Sequence, residues 1–575
     1  MTNIRAVARR PWHLAVLVAI VVASALPLGL TRAGATAATA GNVDWPSYGN
    51  DLANTRFQNL DLINPANVSH LKPAWIFRTG VIDKNASLEV SPIEVGGVVY
   101  VTDGHDDVFA LDASTGAQRW AYRPDIDFSG IQLCCGRNNR GVAVSGGMVF
   151  LARLDDTVVA LDASSGRAVW QSVVADISKG YSMTLAPQYV DGEVIVGLSG
   201  GEFQVRGEVI ALDAATGHER WHFFTTQPGT WAGHSFLSGG APVWETAAVD
   251  AGLGLVYIDT GNAAPDVNGI HRAGDDLFSA SIVALDYRTG AFRWAFQDVH
   301  HDIWDYDSAQ PPILFDGVRN GQPYAGIGNC SKNGNYYILD RASGVPVFPV
   351  TETPVPTHPA WQHPSPTQPL SSVEPLAPLS VQPGTVPASF TTAPEYTPPQ
   401  QTKLVIIPGD DGGCEWPPGA FSPRTHFVYF GTRYEPALFH SAPNNTAGKG
   451  STFTKVPGAT NYGIFGATDT STGRVVWRDT VPQPAKSGVS VAGGLVFFGE
   501  SNGRFHAADA ATGQILWSFD GTSVRGGGGS NASPSIYEVA GREFVVDAFG
   551  GNTPDEEFGS LTGDAIIAFA LPTAG

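Results

Sequence analysis

In the stretch GGMVFLARLDDTVVALDASSGRAVW, residues 146–170, three apolar runs are separated by short polar segments rich in Asp, Ser and Gly. Apolar runs of that length bounded by turn formers read as β-strands, and the polar segments as tight turns. The last turn and its flanks recur as ALDASTGAQRW (110–120), ALDASSGRAVW (160–170), ALDAATGHERW (211–221), ALDYRTGAFRW (284–294), ATDTSTGRVVW (467–477) and AADAATGQILW (507–517). A weaker copy, ILDRASGVPV (338–347), lacks the Trp. In each copy the Asp and the Ser or Thr can bond turn amides, the Gly supplies a positive φ, and the Trp begins the returning strand.

Measured between the shared Asp residues, the steps are 50, 51, 73, 54, 129 and 40 residues. Such periods imply four-stranded antiparallel blades closed radially into a propeller. The long step from Asp340 to Asp469 predicts one concealed unit, with the strand-like FSPRTHFVYFGT (421–432) as its remnant. Seven visible copies and that unit predict an all-β, eight-bladed β-propeller of four-stranded antiparallel blades. One Trp per blade is too many for one active site, so these indoles are expected to fill the gaps between blades with N–H bonded to backbone. Between 348 and 401 the pattern stops in a Pro-rich insertion, which sheet interior cannot absorb; an extended surface wrap is expected there.

Composition agrees with a turn-rich β protein: 67 Gly and 41 Pro among 575 residues. Residues 1–40 stand apart, with Arg5, Arg9 and Arg10 before an apolar run from Leu14 to Leu30 and a small-residue end at Ala38-Thr39-Ala40. This reads as a signal peptide, residues 41–575 being the exported, secreted or periplasmic body; the rival is an uncleaved anchor helix, and only then would a membrane be a partner. Four of the 34 basic residues lie in that leader, leaving 30 against 54 acids. The balance makes nucleic acid a poor partner and suits a neutral substrate or a basic protein.

Propellers host many activities, so function has to be sought in a site. CCGRNNRGVAV (134–144) sets Cys134 beside Cys135, which can close only a strained eight-membered ring or stay as two thiols. GYSMTLAP (180–187) and GLSGGEFQVRG (197–207) follow, the latter placing Glu202 after small residues that let backbone amides approach a ligand. Trp244 lies outside the blade-docking register, and Asn262 sits in a polar loop. HHDIWDYDSAQPP clusters Asp302, Asp305 and Asp307; in a strand, carboxylates two apart share one face and can meet one hard cation. Surface carboxylates are the ordinary fate of such acids.

From Trp45 to the C-terminus the chain resembles the pyrroloquinoline quinone (PQQ)-dependent alcohol dehydrogenases. The resemblance is carried by WPSYGNDLANTRF (45–57), the paired cysteines with NRG, GGEFQVRG, TGN, GDDLF, ALDYRTGAFRW followed by HDIWDYD, and KNGNYYILDR. It implies that a Cys134–Cys135 disulfide and Trp244 sandwich the cofactor, that Arg140, Thr184 and Ser199 hold its carboxylates, and that Gly200 and Gly201 give backbone contacts. It further implies that Lys332 stands near the quinone oxygens, that Glu202 and Asn262 bind a metal, and that Asp305 is the catalytic base, also close to the metal. Asp307 resembles the extra acid of lanthanide-using members, so a lanthanide is favoured, with calcium as the alternative. The implied reaction oxidises the hydroxyl of an alcohol, polyol or sugar, or of a polymeric alcohol, to a carbonyl by hydride transfer to the quinone.

Three positions depart from the family pattern: Pro242 replaces a Thr or Ser two residues before the stacking Trp, Glu415 an Asn, and Gly136 an acid. Cys330 and Cys414 can pair if their loops meet. No C-x-x-C-H occurs, so no haem is expected and electrons should pass to a separate acceptor, a basic soluble cytochrome steered by the acidic surface being the expected kind. The alternative is a non-catalytic, envelope-assembly propeller that binds protein segments, which would have no reason to carry this set of residues.

Overall fold

In a computed structural model the described residues are 42–444, 452–551 and 561–573; the expected leader lies outside them. Eight of the sheets succeed one another along the chain, and within each the strands are antiparallel neighbours in chain order, apart from one early strand added to each of the last two. We call them blades 1 to 8: residues 93–122, 142–173, 188–224, 248–297, 313–340, 420–481, 490–520, and finally 535–570 completed by Lys72–Arg78. Blade 5 has three strands, and blade 7 gains a fifth, Phe57–Gln58, running parallel to Ser490–Ala492.

Blade 2 shows why the sequence takes this form. Its third strand, Thr157–Asp162, is buried until its last residue, whereas the outermost, Ala168–Val173, alternates between exposed and half-buried. Inner strands are covered on both faces and so need unbroken apolar runs. Between Thr157–Asp162 and Ala168–Val173 the Asp162 carboxylate accepts from the Ser165 amide at 2.9 Å. Gly166 follows at φ +71°, and a Cβ there would lie 2.5 Å from the ring of Trp120. Trp120, on the last strand of blade 1, donates its indole N–H to the Ala163 carbonyl at 2.9 Å. The same clasp recurs from Trp75 to Ala113, Trp170 to Ala214, Trp221 to Tyr287, Trp294 to Arg341, Trp477 to Ala510 and Trp517 to Leu71. The core is accordingly laid down between blades: Phe150, Val158 and Ala160 of blade 2 pack with Val194, Val196 and Ile210 of blade 3.

The expected number of blades matches the eight sheets, but the concealed unit is not where the spacing placed it. FSPRTHFVYFGT belongs to Ala420–Ser422 and Phe427–Tyr434, the first two strands of blade 6, which ends in the Asp469 copy. The eighth blade instead joins the two ends of the chain: Lys72–Arg78 pairs antiparallel with Ala565–Ala570. Its Trp, Trp75, therefore lies almost five hundred residues from its other strands. The Trp-less copy of blade 5 is complemented by Phe348, whose ring occupies the Cβ site of Gly473 in the next blade's turn.

The insertion forms a hairpin, Val350–Pro354 with Thr367–Ser371, and then runs over blade 6, where Glu374 meets the Val475 amide and Arg478. Farther on, Leu404–Ile406, Ala437–His440 and Thr452–Lys455 build a small separate sheet. The N-terminal stretch 45–58 links blades that are not neighbours. Arg56, fully buried, donates to carbonyls of Val489 and Pro534 and to Ser91. Asn54 reaches carbonyls of Thr246, Ala247 and Pro312.

Candidate active site

Loops from blades 2 to 6 and the small sheet surround a cavity of about 400 Å³, a size usual for small-molecule sites. Cys134, Cys135, Arg140, Thr184, Ser199, Gly200, Glu202, Trp244, Asp305, Asp307 and Lys332 all line it. Asn262 and Gly201 stand directly behind that wall: a Cβ on Gly201 would lie 3.3 Å from the Asn262 Oδ1 and 2.9 Å from Pro242. Gly200 sits at φ +112° with the Gly180 carbonyl 2.1 Å from its Cβ position, so no side chain is tolerated where the chain turns to present Glu202.

At the centre is Lys332. Its Nζ lies 3.2 Å from Asp305 Oδ2, 3.4 Å from Glu415 Oε1 and 3.6 Å from Asp307 Oδ1. Burial alone would lower the ammonium's proton affinity, but Asp305, Asp307 and Glu415 override it and hold Lys332 above its usual range. Burial raises the Asp305 carboxyl, Lys332 working against it and Asp307 and Asp266 adding to it. The Cys330–Cys414 disulfide, with Cα atoms 5.7 Å apart, ties the Lys332 turn to the Glu415 loop. That loop also donates its Gly413 amide to the Lys332 carbonyl at 2.7 Å.

Asp307 is engaged on both oxygens: Oδ2 accepts from the Trp244 indole at 2.9 Å and Oδ1 from the Asn262 amide at 3.0 Å. The stretch carrying these acids is not the strand expected of it. Asp302 turns back to accept from the Trp304 and Tyr306 amides, and Asp305 adopts φ +66°. That turn, rather than strand alternation, brings Asp305 and Asp307 onto the same ammonium.

Arg140 is more heavily partnered than the sequence suggests. It pairs with Glu89 at 2.9 Å and Glu245 at 3.3 Å, donates to Thr184 Oγ1 at 3.0 Å, and lies 5.3 Å from the Trp244 ring centroid. Thr184 Oγ1 in turn lies 3.2 Å from Ser199 Oγ. The vicinal disulfide implied by resemblance is not formed here. Cys134 and Cys135 are thiols, and their mutual hydrogen bond, ahead of desolvation, pushes Cys134 up; adjacent thiols avoid the distorted peptide that ring closure demands.

For a cation the donor set is all oxygen. Asn262 gives its amide N–H to Asp266 at 2.8 Å, which leaves its buried Oδ1 without a partner. Desolvation, then Asp266 and Asp307, push Glu202 up to about 7. Among the described residues no three His, Cys, Asp or Glu side chains are gathered tightly enough to hold an ion as they stand. Five acids, Glu202, Asp266, Asp305, Asp307 and Glu415, thus lie in the field of one Lys332 ammonium, all but the exposed Glu202 buried or half-buried. Such an excess of negative charge is costly without a further cation, and an oxygen-binding one fits it.

Sequence reading missed Glu89, Glu245, Asp266 and Trp416. Trp416 lies on the cavity wall with Arg433 at 4.8 Å and Arg140 at 6.0 Å from its ring. Like Trp244 it falls outside the LDxxTGxxxW register, and that signal was there to be read.

Fold and site together define a β-propeller with an acidic, Trp-walled small-molecule cavity among its loops. The profile of the PQQ-type glucose/ethanol/alcohol dehydrogenase β-propeller domain matches residues 45–455. The quinohemoprotein alcohol dehydrogenase of Comamonas testosteroni is 32% identical over 88% of this chain and 72% of its own length. The lanthanide-dependent methanol dehydrogenase of Methylacidiphilum fumariolicum is 30% identical over 90% and 88%. A europium-containing methanol dehydrogenase structure superposes with a TM-score of 0.77 at 28% identity, covering 92% of this chain and 98% of that one. The chain belongs to the family of PQQ-dependent alcohol dehydrogenases and is an oxidoreductase of that kind. A second profile, outer membrane protein assembly factor BamB, matches 443–553, a stretch with two of the repeats and none of the predicted site residues.

Proposed function

We propose that this protein is an exported dehydrogenase that binds PQQ and one metal ion and oxidises a hydroxyl of a small-molecule or polymeric alcohol, polyol or sugar to a carbonyl. The observation that carries the reading is the Asp305–Lys332 pair on the cavity wall that Trp244 also lines, together with the buried Asn262 oxygen left without a partner. Arg140, Thr184 and Ser199 would hold the cofactor's carboxylates, the Gly200–Gly201 backbone its edge, and Trp244 with the Cys134 and Cys135 sulfurs its two faces. Glu202, Asn262, Asp305 and Asp307 would hold the ion. When bound, the quinone supplies the two-electron acceptor and the cation a Lewis acid.

The chain's own residues manage the proton and the charge. Asp305 takes the substrate's hydroxyl proton, and Lys332 beside it favours the ionised form that accepting a proton requires. Lys332 stays charged because three carboxylates surround it, and it stabilises negative charge developing in the cavity. Glu202, Asp305 and Asp307 would hold the ion in their ionised forms, which its charge would favour. Three acids and one amide oxygen favour a lanthanide over calcium, since a higher charge offsets more of the repulsion.

Electrons would leave to a separate acceptor. The sequence offers no haem-attachment motif, and its acidic surface suits a basic soluble cytochrome. The charged, apolar and small-residue order of 1–40 supports a location outside the cytoplasm. The test is reconstitution: add PQQ with calcium or with lanthanum and follow dye reduction across alcohols, polyols and sugars. Metal-dependent turnover is expected; failure to retain PQQ absorbance with either metal overturns the reading.

A further inference from the structure

Lys332 stands in the turn between Gln322–Cys330 and Tyr336–Asp340 of blade 5, and its own backbone is fixed there. The Lys332 amide donates to the Asp307 carbonyl at 2.9 Å, and the Gly334 amide to the Ser331 carbonyl at 2.8 Å. What covers it comes from elsewhere in the chain. The segment 407–419, between Leu404–Ile406 of the small sheet and Ala420–Ser422 of blade 6, contains no strand or helix, yet it brings Glu415 and Trp416 to the cavity wall. It lies so close that a Cβ on Gly412 would stand 2.6 Å from the Cα, Cβ and Cγ of Lys332, and one on Gly413 2.5 Å from the Gly334 Cα. Only glycine can approach that far, and Gly412 also takes a φ of +72°. The glycines that allow the approach also regain the most conformational freedom if the segment lifts away.

Three links oppose that lifting. The Gly413 amide donates to the Lys332 carbonyl at 2.7 Å, Glu415 Oε1 lies 3.4 Å from the Lys332 Nζ, and Cys330, two residues before Lys332, is joined to Cys414, one before Glu415. A net hydrogen bond shifts an opening equilibrium by roughly fivefold, whereas a disulfide typically contributes about 30-fold or more. Both cysteines are fully buried. We infer that Cys330 and Cys414 are positioning residues: their disulfide fastens 412–416 as a roof over Lys332, sets Glu415 against the ammonium, and keeps water from the Asp305–Lys332 pair. Charges kept from water interact more strongly than solvated ones, so the roof raises turnover; this last consequence rests on the function proposed above.

Cys330→Val combined with Cys414→Ala replaces the sulfurs by apolar groups in a cluster that also holds Ile313, Phe421 and Phe430. In the purified full chain, well below its melting temperature, hydrogen exchange of the Gly413 amide is expected to rise by about 30-fold or more, while the amides of Thr157–Asp162 in blade 2 keep their protection. A rise shared equally by blade 2 would mean a role in overall stability alone and overturns the inference. Glu415→Gln breaks the ion pair and keeps the covalent link, so Gly413 should stay protected. Release of Gly413 in that variant also overturns the inference, because the charge would then be the fastening, and this measurement decides even if the cysteine variant does not fold. After reconstitution, kcat per bound PQQ in the cysteine variant is expected to fall by about 10-fold or more with a smaller change in KM, as misplacement around a reacting centre does. An unchanged kcat removes the positioning role. If the parent chain retains no PQQ, the dehydrogenase reading fails, and the exchange measurements still decide whether the disulfide holds the roof.

Discussion

Asp305 and Lys332 are 3.2 Å apart in a space that also holds Asp307 and Glu415. If Asp305 is the base, Asp305→Asn should lower kcat by about 10²–10⁴, as loss of a general base does, while PQQ absorbance in the purified holoenzyme is retained. Loss of cofactor as well would make Asp305 a binding residue instead. Asp307→Ser removes the acceptor of the Trp244 indole, so both wall and charge are disturbed. The expected outcome is loss of the lanthanum response with some calcium-dependent dye reduction surviving; an unchanged metal preference removes Asp307 from the ligand set. Most of this constellation was legible, because Cys134, Glu202, Asn262 and Asp305 sit in stretches that resemble a family. Glu89 and Glu245 were not. Nothing in their local sequence says that both point at Arg140, since that contact joins positions fifty and a hundred residues from it.

Between residue and molecule lies the turn-and-Trp clasp. Gly166→Ala requires a Cβ where the Trp120 ring lies at 2.5 Å, in a left-handed backbone that alanine disfavours. A loss of about 1–3 kcal/mol in chemical denaturation is expected, the usual range for overpacking. Trp120→Phe in the same background should recover part of it if the clash is the cause. The clasp could be read from sequence because each copy keeps Asp, Gly and Trp at fixed spacing. Blade 8 could not, because its Trp75 lies on Lys72–Arg78 near the start of the chain and its other strands Arg542–Phe549 and Ala565–Ala570 near the end. No sequence window contains that copy, so the spacing argument moved it into the one long gap. Blade 5 was legible as a copy without its Trp: Phe348, eight residues after Asp340, stands at the position the Trp holds in the other copies and does its work.

At the scale of the molecule, several acids are buried away from the cavity. Burial pushes Asp106 and Asp298 up to about 8 and Asp547 to about 7. Each keeps a proton in the folded chain that the unfolded chain has already released above the ordinary Asp range, so the folded state binds more protons from about pH 4 to 8. Stability must therefore fall as pH rises through that window, by up to about 1.4 kcal/mol per pH unit for each such group. Asp547→Asn, which keeps a partner for the Ser530 hydroxyl at 2.5 Å, is expected to flatten the decline of melting temperature between pH 5 and 8. A parallel decline in parent and variant would show that Asp547 ionises freely.

The pairing of Lys72–Arg78 with Ala565–Ala570 also governs how the protein is made. That early strand has no partner until the chain is all but complete, so the ring stays open throughout synthesis with an unpaired edge at each side. Closure is a search across nearly the whole contour length, and contacts that distant form slowly. Meanwhile each open edge can accept the corresponding strand of a second molecule. Crowded expression should accordingly yield domain-swapped rings and chains, and a peptide copying Lys72–Arg78, supplied during refolding, should lower the yield of closed monomer.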